Sequence, residues 1–303
     1  MTTDLFGKTF RCSCGRTHEI QPAEILYDKD AVSRIPHIVQ RYIPSGDICI
    51  VMDRRTAAVA GNRITDVLSE PGNRANRIVV PDSPEDTSPV CDDRTKEALL
   101  RRIPICSGFL AVGSGVISDL AKWMAFERGV PYLCFATAAS MNGYASANVA
   151  PAVKGVKTLV RAHPARAVMT APHILEEAPP RLTAAGFGDI IAKSVSSADW
   201  YMNHLLFNDY YCAEAVNLIN DIEPLYMDSP EKVRACAPSA MEALFHGLLL
   251  TGAAMTMAET SAPASGGEHM TSHALDMMSA LDGAAHDLHG RQVGVGTVLA
   301  SEV

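Results

Sequence analysis

"GFLAVGSG" (108–115), "VISDLAKWMAFERG" (116–129) and "PYLCFAT" (131–137) follow one another, and their reading decides the fold. The first is an apolar run that breaks on glycines, as a buried strand does when it turns into a helix. The second has helical spacing and closes on Gly129. The third is another short apolar run. Upstream, "DICIVMD" (47–53) and "RIVVPD" (77–82) read as strands, and "TKEALLRRI" (95–103) has helical spacing. Strands alternating with helices predict a parallel, Rossmann-like sheet. The pattern changes near residue 175. "ILEEAPPRLTAAGFGDIIAKSVSSADWYMNHLL" holds a Pro-Pro break followed by long helical periodicity, with no convincing strand run after about residue 180. The expected organisation is an α/β domain over 1–178 and an all-α domain over 179–303, divided at Pro179–Pro180.

Bulk composition narrows the function. The 303 residues are 48% apolar and 20% charged, a globular mix with ample core material. Net charge is −8 and no Lys/Arg-rich run exists, which disfavours nucleic-acid binding. A small-molecule enzyme is the better expectation. "ALFHGLLLTGAAMTMA" (243–258) is short and polar-marked for a membrane span, and predicts a buried helix. The start, "MTTDLFGKTF", lacks the basic-then-apolar order of a signal peptide, and no membrane association is expected. Eight cysteines are scattered, several inside apolar runs, which argues against a disulfide framework and for a cytoplasmic protein. The chain ends on "HGRQVGVGTVLASEV", the opening of an apolar helix with no stop signal. That predicts an incomplete helical domain, with exposed apolar surface favouring a homo-oligomer.

The glycine turn carries the cofactor signal. In "AVGSGVISD", Gly113, Ser114 and Gly115 let backbone N–H groups approach a pyrophosphate, and the helix after them adds a favourable dipole. Asp119 lies one turn further on. The stretch is not GxGxxG, since position 118 is Ser, so alone it is equally an ordinary strand-to-helix turn. "VMDRRT" places Asp53 at the end of an early strand, where a carboxylate can bind a ribose hydroxyl of NAD; Arg54 or Arg55 could accept the 2′-phosphate of NADP instead. "FATAASMNGYAS" brings Thr137 and Ser140 to the end of another strand.

The helical half carries a metal signal. "SGGEHMTSHALDM" (265–277) puts His269 and His273 four apart on one helix face, though without the glutamate of a zincin. "HDLHGRQVGVG" supplies His286 and His289, and "AGFGDIIAKS" supplies Asp189 at an expected helix start. Singly, each is an ordinary polar residue near a helix end. Together they offer a carboxylate and two imidazoles with a position left open, which is a catalytic rather than structural metal set. Zinc is the default; nickel or iron also suits it. "RCSCGRTH" offers Cys12, Cys14 and His18, but no second Cys/His pair at usable spacing. A surface hairpin or loop is expected there.

These elements resemble the glycerol-1-phosphate dehydrogenases, of the iron-containing alcohol dehydrogenase and dehydroquinate synthase-like superfamily. The resemblance runs from about residue 47 to the end and rests on "GSGVISDLAKW", "TAASMNGYAS", "AGFGDIIAKSVSSADW", "SGGEH" and "HGRQVGVG". It implies a dehydroquinate synthase-like fold and a divalent metal held by Asp189, His269 and His289. It also implies NAD or NADP phosphates over Gly113, Ser114 and Gly115 with Asp119 nearby, and Thr137 and Ser140 on the nicotinamide side. His273 becomes a residue beside the ligands, a candidate proton relay. Lys157 falls where the family carries a lysine. Asn142 stands where the family commonly has a substrate-facing Asp, which keeps hydrogen bonding but removes a charge. The implied reaction is hydride transfer between NAD(P)H and dihydroxyacetone phosphate, giving sn-glycerol 1-phosphate, with a phosphorylated triose or polyol as the substrate. Alternatives are a cyclase of the same fold, which would usually carry Asn-Phe-Gly-His where this chain has "SGGEH", a polyol dehydrogenase, or a non-catalytic relative.

Overall fold

The computed structural model describes residues 5–69, 75–84, 88–282 and 287–302. Its contacts divide the chain into two units. The first comprises Pro22–Ala138 and Asn148–Leu175; the second comprises Met1–Gln21, Ala139–Ala147 and Glu176–Val303.

The first unit is the expected parallel sheet. Six strands lie in the order Glu24–Tyr27, Ala167–Thr170, Tyr132–Ala136, Gly108–Gly113, Ile48–Asp53, Ala75–Val80, and every pairing is parallel. Its middle strands are buried at every position, which is why they read as continuous apolar runs rather than alternating ones. One face carries Ile50, Met52, Leu110, Val112, Leu133 and Phe135, covered by Ile35, Ile38 and Val39 of helix Ala31–Tyr42. Helix Gly115–Arg128 ends as expected on Gly129, which adopts the left-handed conformation (φ 64°).

Chain direction fixes where a ligand can sit in this unit. Strand Ile48–Asp53 leads to its neighbour on one side, Ala75–Val80, while Gly108–Gly113 leads to Tyr132–Ala136 on the other. Those two strands are adjacent, with Val51 opposite Ala111, so the connections diverge between them. That is a topological switch point, and Asp53 and Gly113 end its two strands.

The second unit is helical after residue 176, apart from the hairpin Thr9–Arg11 with Thr17–Glu19. Helix Pro238–Ala258 buries seventeen of its residues and forms the core, as expected for the apolar stretch it contains. Helix Pro180–Ile191 starts with Pro180 in its first turn, where the missing N–H costs nothing. Asp189 therefore lies at the end of this helix, not at a helix start, because "RLTAAGFGDII" is one continuous helix whose glycines serve packing. Residues 139–147, expected in the sheet domain, pack with these helices. A Cβ on Gly186 would lie 1.9 Å from the Ala139 carbonyl oxygen, and one on Gly252 would lie 2.3 Å from that of Asn142. Two small helical residues thus admit the backbone of that loop.

Candidate metal centre and cofactor turn

In the sheet unit, Gly113 is required for packing: a Cβ there would lie 2.6 Å from that of Ile117. Ser114 begins helix Gly115–Arg128 without a side-chain cap, so the first-turn N–H groups lack the usual hydroxyl acceptor. A glycine turn with uncapped amides at a switch point fits a dinucleotide phosphate. The Thr137 amide donates to the Gly113 carbonyl at 3.1 Å, tying the two strand ends together. Asp119 is partly buried, and burial pushes its carboxyl above the ordinary value against the opposing pull of Lys122 and Lys157. Lys157 lies on the short hairpin Ala152–Val153 with Val156–Lys157.

Asp53 has work the sequence reading did not assign. Its Oδ1 accepts from the amides of Arg55 and Thr56, both at 2.7 Å, and the Thr56 hydroxyl accepts from the Asp53 amide at 3.0 Å. This is a capping box, legible in retrospect as D-x-x-T. Arg54 and Arg55 both reach Asp82, at 3.0 and 2.8 Å.

In the helical unit, Asp189, His269 and His289 each bring a ligand atom within 4.8 Å of the others. His286 lies outside the described residues. His269 and Asp189 are buried, with His269 Nε2 3.6 Å from Asp189 Oδ1. Asp189 Oδ2 accepts the Asn142 backbone amide at 2.7 Å, whereas Oδ1 is buried with no hydrogen-bond partner. Both imidazoles are oriented from behind. His269 Nδ1 lies 2.7 Å from Glu268 Oε1, which also accepts the Gly266 amide at 2.7 Å. Ser272 Oγ donates to Gln292 Oε1 at 2.9 Å and so is left to accept from His289 Nδ1, also at 2.9 Å. With Glu268 and Ser272 facing Nδ1, a proton held there is the arrangement in which a metal-binding histidine presents Nε2. A buried carboxylate oxygen without a hydrogen-bond partner and two imidazoles, with ligand atoms within 4.8 Å of one another, fit a divalent cation. The Ser140 hydroxyl and the Asn142 side-chain amide are also buried without hydrogen-bond partners, as expected where a polar ligand supplies them. His273 stacks beside His289, ring centroids 5.8 Å apart.

The motifs explain one another. The Gly267 amide donates to Asp199 at 2.8 Å, linking "SGGEH" to "SSADW", and a Cβ on Gly266 would lie 2.5 Å from the same carboxylate. Helices Pro180–Ile191 and His289–Ala300 meet through glycines: a Cβ on Gly188 would lie 2.1 Å from the Gly290 carbonyl oxygen, and one on Gly290 would lie 2.0 Å from that of Ala185. Asp189 and His289 flank these contacts. The sequence reading missed Glu268, Ser272 and Gln292; Glu268 had a signal, standing directly before His269.

In the metal-free protein, burial pulls His269 down, but Asp189 and Glu268 outweigh it and raise the imidazole to about 9 from 6.5. The stabilisation from this raised value is fully present below 6.5 and is lost as pH rises through about 9. Metal-free protein is therefore expected to lose up to about 3 kcal/mol between those limits. Urea unfolding at a series of pH values checks this. A metal held on His269 would require the neutral ring, so metal-loaded protein should lack the dependence and release a proton on loading.

The profile of the iron-containing alcohol dehydrogenases matches residues 27–179. The glycerol-1-phosphate dehydrogenase [NAD(P)+] of Pyrococcus furiosus is 32% identical over 287 residues, covering 92% of this chain and 77% of the relative. That of Bacillus licheniformis is 30% identical over 295 residues, covering 96% and 73%. Among solved structures, the glycerol dehydrogenase of Schizosaccharomyces pombe superposes with a TM-score of 0.74 at 18% identity, covering 92% of this chain and 70% of that one. The sulfoacetaldehyde reductase of Bifidobacterium kashiwanohense, in complex with NAD+, gives 0.69 at 16%, covering 93% and 75%. The fold is thus that of the iron-containing alcohol dehydrogenase and dehydroquinate synthase-like proteins. The chain belongs to the iron-containing alcohol dehydrogenases and, within them, to the glycerol-1-phosphate dehydrogenases.

Proposed function

We propose that this protein interconverts dihydroxyacetone phosphate and sn-glycerol 1-phosphate with NAD(P)H as the hydride donor. The observation that carries the reading is the buried Asp189–His269–His289 group, in a chain whose relatives are named glycerol-1-phosphate dehydrogenase [NAD(P)+]. A divalent cation held by these three side chains would polarise the ketone oxygen, and the nicotinamide would supply the hydride. Zinc is the first choice, with nickel and iron as the other candidates.

The chain's own residues supply position and protons. Glu268 and Ser272 hold the two imidazoles in the ligating tautomer, and the Asn142 amide holds Asp189. The free Asn142 side-chain amide donates to a substrate oxygen, which replaces the acid or base role of an aspartate by hydrogen bonding alone. His273, beside His289, passes the proton to the product alcohol, directly or through water. The turn Gly113–Ser114–Gly115 takes the cofactor phosphates, with Asp119 near it and Thr137 and Ser140 toward the nicotinamide; the Asp53 oxygen not spent on capping is the ribose acceptor. Self-association is proposed on the apolar surface that Val295, Val298 and Leu299 leave exposed, and unpaired thiols suit a reducing cytoplasm.

NADH and NADPH consumption by metal-loaded protein tests the reading, with dihydroxyacetone phosphate as substrate and dihydroxyacetone as control. The expected result is a preference of at least ~10²-fold in kcat/KM for the phosphorylated ketone. Equal rates on both would point to a polyol dehydrogenase. Binding of cofactor and metal with turnover of neither would overturn the proposal in favour of a non-catalytic relative.

A further inference from the structure

The hairpin Thr9–Arg11 with Thr17–Glu19 is not the surface feature the sequence suggested. Cys12 and His18 are 6% and 3% exposed. The turn between the strands is built to aim sulfur inward. Cys12 donates its amide to the Arg16 carbonyl at 2.8 Å, Gly15 donates back to the Cys12 carbonyl at 3.1 Å, and Gly15 takes φ 88°. The Cys14 amide points at Cys12 Sγ, 3.5 Å away. Facing this turn, within the same unit, is the segment that leaves helix Lys193–Phe207. Trp200 anchors it by donating Nε1–H to the Tyr210 carbonyl at 2.7 Å, and Cys212 follows, fully buried.

Four ligand atoms from Cys12, Cys14, His18 and Cys212 lie within 4.8 Å of one another. Cys12 Sγ and Cys212 Sγ are 3.7 Å apart, Cys212 Sγ and His18 Nε2 3.6 Å, and Cys14 Sγ and His18 Nε2 3.2 Å. A tetrahedral zinc with Zn–S of about 2.3 Å and Zn–N of about 2.0–2.1 Å has edges of about 3.8 Å between sulfurs and about 3.6 Å from sulfur to nitrogen. The first two distances match those edges, and the third is a few tenths of an ångström short. A disulfide would explain only half of the group: the Cys12 and Cys212 sulfurs are unbonded, and joining them would leave Cys14 and His18 facing each other.

We propose that Cys12, Cys14, His18 and Cys212 form a structural zinc site that fastens the N-terminal hairpin to the segment after helix Lys193–Phe207. Three thiolates and an imidazole fill a tetrahedron and leave no position for substrate, which separates this site in kind from Asp189–His269–His289. Three thiolates around a dication leave one negative charge, and the surroundings answer it. The Tyr210 hydroxyl lies 3.3 Å from Cys14 Sγ, placed to donate to the thiolate, and the Arg16 guanidinium sits over the Tyr210 ring at 3.5 Å.

The site stands independently of the dehydrogenase reading, so its test counts metal and identifies ligands instead of measuring turnover. Protein purified anaerobically from zinc-supplemented cells is analysed for zinc and by X-ray absorption at the zinc edge. Wild-type and His269→Ala proteins should both hold a zinc with a sulfur shell at about 2.3 Å, at one equivalent per chain in the variant. Cys212→Ser should lose that shell and one equivalent of zinc, with a lower unfolding temperature. Should Cys212→Ser fail to fold, cobalt substitution of the wild-type protein decides: thiolate-to-cobalt charge-transfer absorption supports the site. Wild-type zinc without a sulfur shell, or a Cys12–Cys212 disulfide in the anaerobic protein, overturns it.

Discussion

Replacing His289 with alanine is expected to lower kcat by at least ~10³-fold, about 4 kcal/mol of barrier, and to lower metal content with it. His289 is held at Nδ1 by Ser272, which itself donates to Gln292, and Nε2 is the nitrogen proposed to ligate. Without it, Asp189 and His269 remain, and two ligands do not make a catalytic site of this kind. The sheet unit should still bind NAD(P)H, because none of its residues changes. Elemental analysis, cofactor fluorescence and steady-state kinetics on one preparation separate these effects. Ser272→Ala is the graded comparison: it keeps all three ligands and frees the tautomer, so metal affinity should fall ~10–100-fold and excess metal should restore activity. A His289→Ala protein that retains full metal and full turnover would falsify the ligand set.

What could be read from the sequence, and what could not, follows from how local each cause is. The parallel sheet was legible because its middle strands are buried on both faces and their apolar runs are unbroken. The glycine turn was legible because strand, Gly113 and helix are consecutive. The grouping of Asp189, His269 and His289 was legible as chemistry, since each is conspicuous inside a helical segment. The supporting shell was not. Asn142 attracted notice for its side chain, but its firmest contact is a backbone amide on Asp189, and a backbone donor leaves no mark in the sequence. Asp53 was read for a ribose alone, and its added role as a helix cap was marked by Thr56 three residues on. Cys212 could not be matched to "RCSCGRTH" by spacing, because the thiols meet through the fold of the helical unit and no spacing rule spans that distance. The loop 139–147 was assigned to the sheet side by continuity, yet Gly186 and Gly252 open the space that seats it among helices.

Those helical glycines carry the second large prediction. Gly290→Ala alters no ligand, yet it should cost about 1–3 kcal/mol in stability and weaken metal binding at least ~10-fold. The added methyl would lie 2.0 Å from the Ala185 carbonyl oxygen and 2.7 Å from its carbon. Both are backbone atoms of helix Pro180–Ile191, so no rotamer change relieves the clash and the helices must part. Gly188 faces the same junction from the other side, with the Gly290 carbonyl 2.1 Å from where its own Cβ would be. Asp189 follows Gly188 and His289 precedes Gly290, so parting these helices separates the carboxylate and imidazole proposed to share one cation. Gly129→Ala supplies the control. It forces a side chain into φ 64° with nothing within 4 Å, so it should cost about 1 kcal/mol through the backbone alone and leave metal affinity unchanged. Thermal unfolding and competitive metal titration of the two variants together separate lost stability from lost ligand geometry. If Gly290→Ala binds metal as tightly as the parent while unfolding earlier, helix spacing does not set the ligands, and Glu268, Ser272 and the Asn142 amide suffice to hold them.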